Sequence, residues 1–143
     1  MRTPASIAGH PIHPMLIVFP VGLLIFSLIC DVISTRSADP TTWSLVAFYT
    51  MVGGFIGALV AAVPGLIDLL SLADKAIKTT AITHMSINLV VVALYAVNIW
   101  LRANAKTNTG TPLLLSVVGV ALLAVSGWLG GKMVHEHGVG VDV

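Results

Sequence analysis

Residues 9–33 read GHPIHPMLIVFPVGLLIFSLICDVI: two His-Pro pairs three positions apart, then an apolar run whose one charge, Asp31, lies near its far end. About 20 consecutive apolar residues are needed to cross the hydrocarbon core of a bilayer. This run, from about Pro14 to Ile33, meets that length. Pro14 suits the first turn of a helix, where its missing N–H is no loss. Pro20 removes an internal backbone bond and predicts a bend. The run is longer than the roughly 7–15 apolar residues of a secretory signal, and its basic flank is Arg2 alone, so it reads as a retained first span.

Composition extends the reading to the whole chain. Of 143 residues, 57% are hydrophobic and 9% charged, with a mean hydropathy of +0.99, against about 25% charged in soluble domains. The class is an all-α integral membrane protein. A net charge of +1 without a basic cluster excludes a nucleic-acid partner. The single cysteine, Cys30, sits in the first span and has no intrachain disulfide partner.

Three further spans follow, at about 43–70, 80–101 and 112–134, joined by polar linkers at Ser34–Thr42, Ser71–Thr79 and Arg102–Thr111. The chain is thus a single four-helix transmembrane domain, residues 1–143, with no clear repeat. The tail from His135 onward is expected to be short and irregular. Span two carries a four-residue ladder of small residues, Gly53, Gly57, Ala61 and Gly65, and span four a pair, Gly127 and Gly131. Such faces let helices approach closely in lipid. They offer packing surfaces, a homodimer contact, or the walls of a slot for a flat cofactor.

Threading four spans puts both termini on one side. That side receives His10, His13, Asp68, His84, His135, Glu136 and His137. The other receives Asp31, Arg36, Asp39, Arg102 and Lys106, and no histidine. Arg2, Lys75, Lys78 and Lys132 on the histidine side make four of the seven basic residues, a slight bias toward cytoplasmic termini.

In span three, Asn88 follows His84 by four positions and Tyr95 by eleven, close to three helical turns, so the polar residues share one face. That face is expected to look inward, because unpartnered polar groups are costly in lipid. Asp68 could accept a histidine N–H and fix its tautomer, cap span three, or pair with Lys75.

Converging imidazoles suit haem ligation, divalent metal binding or proton relay. A haem b needs two axial histidines on different helices. His13 and His84 are the first pair, with His137 and His10 in reserve and Asp68 and Asn88 in support. A zinc or copper site would use three or four of His10, His13, His84, His135, His137 and Asp68. A third reading is an accessory subunit whose histidines cap helices and bind no cofactor. No nucleophile motif, phosphate loop or carboxylate pair is present. An electron carrier or accessory subunit is therefore expected over a stand-alone enzyme.

The opening Gly9-His10-Pro11-Ile12-His13-Pro14-Met15-Leu16-Ile17 with Phe19-Pro20-Val21-Gly22-Leu23 and Asp31 resembles a bacterial four-helix membrane family known as domain of unknown function 2231. The resemblance continues through Pro64-Gly65-Leu66-Ile67-Asp68, His84 with Asn88, and Gly130-Gly131-Lys132 to His137-Gly138-Val139-Gly140-Val141. It implies a multi-pass protein of the bacterial inner (cytoplasmic) membrane whose motif positions include His10, His13, Asp68, His84 and His137. Similar domains occur fused to Rieske iron–sulfur or c-type cytochrome modules, which implies electron transfer. With no such module in these 143 residues, the redox partner, or a quinone, is expected to be separate.

Overall fold

The computed structural model describes residues 3–105 and 107–141; Arg2 and Lys106, both counted in the charge balance, lie outside them. The chain opens with a two-stranded antiparallel hairpin, β1 (Ser6–Ile7) and β2 (His10–Pro11), with Ile7 opposite His10. Ala8 and Gly9 make its turn at φ 50° and 80°. Two successive positive φ values match the right-handed twist of a tight hairpin, and glycine adopts one without strain.

Four helices follow: α1 (Ile12–Ser34), α2 (Pro40–Ser71), α3 (Lys75–Ala105) and α4 (Thr111–His137). All four are long and apolar enough to cross a membrane. At about 1.5 Å per residue, even the 23 residues of α1 exceed the roughly 30 Å hydrocarbon thickness. Their outward faces carry Phe19, Trp100 and Trp128, the last 78% exposed, as a lipid-facing bundle requires. Prolines stand in the first turn of α1, α2 and α4, as Pro14, Pro40 and Pro112. α1 runs on through Pro20 and α2 through Pro64 as single helices.

The helices outrun the expected spans, because hydropathy marks the part in lipid while capping decides where a helix ends. α3 starts five residues before Thr80, since the Asp74 carboxylate accepts the N–H groups of Ala76 and Ile77, both at 2.9 Å. α4 continues through His135 to His137, correcting the irregular tail. Gly138, left-handed at φ 62°, closes it by bonding Val134's carbonyl.

α1 packs chiefly on α2 and α3 on α4, and these hairpins meet through α2 against α3 and α1 against α4. Leu24, Met51, Val91 and Tyr95 form the buried centre. Beyond it, Asp31 and Arg102 form a buried bidentate pair at 2.6 and 2.7 Å. Arg102 also donates to Asn98 and Ser116, and Asn108 donates to Asp31 and Ser34. The described ends of the chain meet at the opposite end, where a Cβ on Gly140 would lie 3.4 Å from the Pro11 ring.

The two hairpins repeat one another. His13 Nδ1 lies 2.8 Å from the Ala61 carbonyl, and His84 Nδ1 lies 2.9 Å from that of Ser126. Ser27 donates to the Ala47 carbonyl, and Asn98 to that of Pro112. Leu24 fills the space beside Gly54 as Tyr95 fills that beside Gly119, and Gly65 faces His13 as Gly130 faces His84. His13, Leu24, Ser27 and Asp31 each precede their α3 counterpart by 71 positions. Ala47, Gly54, Ala61 and Gly65 precede Pro112, Gly119, Ser126 and Gly130 by 65. α1 and α3 run the same way, so this is a parallel repeat about an axis along the bundle. The expectation of no repeat is corrected. Of the pairs named here only His13–His84, Gly54–Gly119 and Gly65–Gly130 are identical, and the offset changes from 71 to 65, so no fixed period marks the repeat in the sequence.

Candidate functional site

The repeat brings His13 and His84 together across the seam between the hairpins. Their ring centroids are 6.3 Å apart and their planes nearly perpendicular, at 89°. His13 stands in a notch cut by Gly65, and His84 lies in ordinary contact range of Gly130. A Cβ on Gly65 would lie 2.8 Å from His13 Nδ1, and one on Gly130 would lie 3.4 Å from the His84 ring. Gly65 belongs to the small-residue ladder that the sequence marks on α2, whereas Gly130 lies outside the pair, Gly127 and Gly131, that it marks on α4.

Hydrogen bonding fixes both tautomers. A carbonyl can only accept, so Nδ1 of His13 carries the proton donated to Ala61, and Nδ1 of His84 carries the one donated to Ser126. The Ser126 hydroxyl also lies 3.0 Å from that nitrogen. In each neutral ring the lone pair is therefore on Nε2. His84 Nε2 accepts from the Asn88 amide at 3.1 Å, and the same amide nitrogen donates to the His84 carbonyl at 2.9 Å. His13 Nε2 has no hydrogen-bond partner among the described residues. A backbone acceptor at Nδ1 that orients the ring and leaves Nε2 for a ligand is the arrangement that supports ligating histidines.

The other candidates are elsewhere. His10 is exposed on β2. His135, exposed, and His137, half-buried, occupy the last turn of α4, where a partial negative charge favours basic side chains. Among the described residues none of the three makes a hydrogen bond or ring contact to the His13–His84 pair. Among the described residues Asp68 makes no hydrogen bond to a histidine; its Oδ1 accepts the Ala5 N–H at 2.9 Å and pins the N-terminal segment to α2. Its other expected roles also go elsewhere: Asp74 caps α3, and among the described residues Lys75 makes no ion pair with Asp68. No group of three or more His, Cys, Asp or Glu side chains is placed to hold a metal ion among the described residues.

The glycine ladder of α2 is filled from within the chain. Gly53 faces Leu23, Gly57 faces Pro20 and Gly65 faces His13, so α1 packs along this face of α2. On α4 the packing glycines are Gly119 and Gly130, whereas Gly127 and Gly131 have nothing within 4 Å of a built Cβ. Two shallow surface grooves, one along Ile12, Leu16, Val60 and Val63 and one beside Phe48 and Arg102, include no histidine.

Asn98, Arg102 and their partner Asp31 are also buried polar residues, and the sequence carries a signal for them. The inward stripe of His84, Asn88 and Tyr95 continues at the same period through Asn98 and Arg102. Asp31 stands five turns beyond His13, as Arg102 stands beyond His84.

These observations define a four-helix integral membrane protein with an imidazole pair at one end of its internal axis and a buried ion pair at the other. The chain belongs to the predicted membrane protein family designated domain of unknown function 2231, which it matches over residues 9–143. Comparison with curated proteins and with solved structures gives no match.

Proposed function

We propose that the chain is a small membrane redox subunit that holds a haem b between His13 and His84. The observation that carries this reading is the imidazole pair itself, drawn from opposite hairpins with both Nδ1 atoms tied to backbone carbonyls. Imidazole nitrogen sits about 2.0–2.1 Å from a first-row metal. With the ring centre a little over an ångström behind the nitrogen, two imidazoles on opposite sides of one ion have centroids roughly 6 Å apart. The separation of 6.3 Å agrees with that figure. Two ligands suffice for haem, whereas a zinc or copper site wants three or four, which the described residues do not assemble. A haem b at this place would supply a one-electron couple within the membrane, serving a quinone or a Rieske or c-type cytochrome partner.

The chain's own contribution is to set the rings. Ala61 and Ser126 hold the donors, and Gly65 and Gly130 admit the rings to the helix surfaces. The bacterial inner membrane, with termini in the cytoplasm, is the location that the family resemblance and the basic bias favour.

The test is an absorption spectrum of detergent-purified protein from haem-replete cells, air-oxidised and then dithionite-reduced. A Soret band with sharp reduced α and β bands at near-stoichiometric haem, lost in His13→Ala and in His84→Ala, is expected. A colourless, folded protein would refute the reading. Elemental analysis of that sample would then separate a non-haem metal protein from an accessory subunit.

A further inference from the structure

Because the two hairpins repeat, each residue around one histidine has a counterpart around the other, and the differences can be read directly. The Nδ1 contact, the acceptor carbonyl and a neighbouring glycine occur in both halves. The fourth position after each histidine does not agree. After His84 it is Asn88, and after His13 it is Ile17. One imidazole has its Nε2 lone pair engaged at 3.1 Å, while the other has no partner for that atom among the described residues.

The Asn88 amide is not free to turn at no cost. Its two N–H groups serve two acceptors one helical turn back, the His84 carbonyl and His84 Nε2. Turning the amide over would set its oxygen against that carbonyl. Ser126 adds a second contact on the Nδ1 side, at 3.0 Å, where the His13 half has Ala61 and no hydroxyl. His84 is thus held at both nitrogens and His13 at one.

We infer that Asn88 is a positioning residue that withholds the Nε2 lone pair of His84, so the paired imidazoles are unequal ligands. His13 presents an open lone pair to an incoming metal centre. His84 joins only when the Asn88 amide turns away. The seat is symmetric in its construction and sequential in its use. This regulation rests on the ligand reading proposed above, but the asymmetry belongs to the unliganded chain and is measurable without any cofactor.

The experiment uses full-length, 15N-histidine-labelled protein in detergent at one fixed pH where both rings are neutral, with Asn88→Leu and Asn88→Gln as variants. The Nε2 resonances, assigned with His13→Gln, report whether each lone pair accepts a hydrogen bond. His84 Nε2 is expected to show the accepting shift in the parent and to move to the bare value of His13 in Asn88→Leu. Asn88→Gln, which keeps an amide, is expected to stay nearer the parent. Identical Nε2 shifts for the two histidines in the parent, or no movement in Asn88→Leu, would overturn the inference. Haemin titration of the same proteins gives the second readout. Removing one neutral hydrogen bond that competes with ligation should tighten haemin binding roughly two- to tenfold in Asn88→Leu. Unchanged or weaker binding there would count against the inference. If no protein takes haemin while the shifts differ as expected, the haem reading fails and the Asn88 cap stands.

Discussion

Removing one member of the Asp31–Arg102 pair should destabilise the bundle more than any other single polar substitution. The pair joins the hairpins at the end away from the histidines, and its side chains are 0% and 4% exposed. Arg102→Met deletes two charge-assisted bonds, of 2.6 and 2.7 Å, and leaves the Asp31 carboxylate with longer contacts to Asn108 at 3.2 Å and Ser116 at 3.4 Å. Hydrogen bonds to charged groups contribute about 1.5–3 kcal/mol each, and orphaning one partner of a buried pair costs about 3–5 kcal/mol. The remaining Asn108 and Ser116 contacts limit the loss, so the expected cost is about 3–5 kcal/mol rather than the full sum. Asp31→Asn should cost a similar amount. The double variant, which strands no charge, should cost clearly less than the two singles together. Reversible unfolding in mixed detergent micelles measures all three. Ordinary interhelical hydrogen bonds in lipid average about 0.6 kcal/mol in double-mutant cycles. Single losses of that size, adding without coupling, would refute the assignment of the pair as the lock between hairpins.

Other substitutions probe separate contacts. Gly119→Ala sets a Cβ 2.7 Å from the Tyr95 ring and should cost about 1–3 kcal/mol by overpacking, measured by the same unfolding. Gly127→Ala and Gly131→Ala meet nothing within 4 Å and should leave monomer stability unchanged; if a homodimer forms through this face, leucine at both positions should abolish energy transfer between labelled copies in vesicles. Gly65→Ala pushes on His13 Nδ1 at 2.8 Å and should shift the His13 ring resonances while leaving those of Asp31 and Arg102 in place. Asp39, outside the spans, is held below its ordinary pKa by the side chain and N–H of Thr42. Its capping contribution is therefore present above the unfolded carboxylate value of about 3.9 and lost as pH falls through the lower folded value. Amide exchange in the first turn of α2 should accelerate over that acid range in the parent and be pH-independent, apart from the intrinsic rate, in Asp39→Ala.

How far the fold could be read in advance depended on which force set each feature. The four spans were legible because lipid demands about 20 apolar residues in a row and the chain supplies them four times. Helix ends were less so, because Asp74 and Gly138 act through local backbone bonds that hydropathy does not register. The inward face of α3 was legible from His84 to Tyr95 by its period, and the same period extends to Asn98 and Arg102. Threading put five histidines on one side and offered His13 and His84 as the first pair; that these two rings meet is set by the packing of the hairpins. That Asp68 would bond a backbone N–H, and that α1 would fill the α2 ladder at Gly53, Gly57 and Gly65, depended on tertiary packing that residue spacing does not encode.

The internal repeat explains why these two sites carry such different chemistry. Equivalent positions on α1 and α3 face one another across the axis, so a bundle of identical hairpins would set like against like at every level. At the Asp31–Arg102 level that would bury two carboxylates or two guanidinium groups together, which costs several kcal/mol per uncompensated charge. Carrying both hairpins in one chain lets the sequence differ between halves, and the difference here is a change of sign that turns repulsion into a bidentate pair. At the His13–His84 level the identity is kept, and the neutral imidazoles, each with its proton committed to a carbonyl, meet without that charge penalty. The half that retained Ile17 offers its lone pair, and the half that carries Asn88 holds its own back, so the residual asymmetry falls at the atom where ligation would occur.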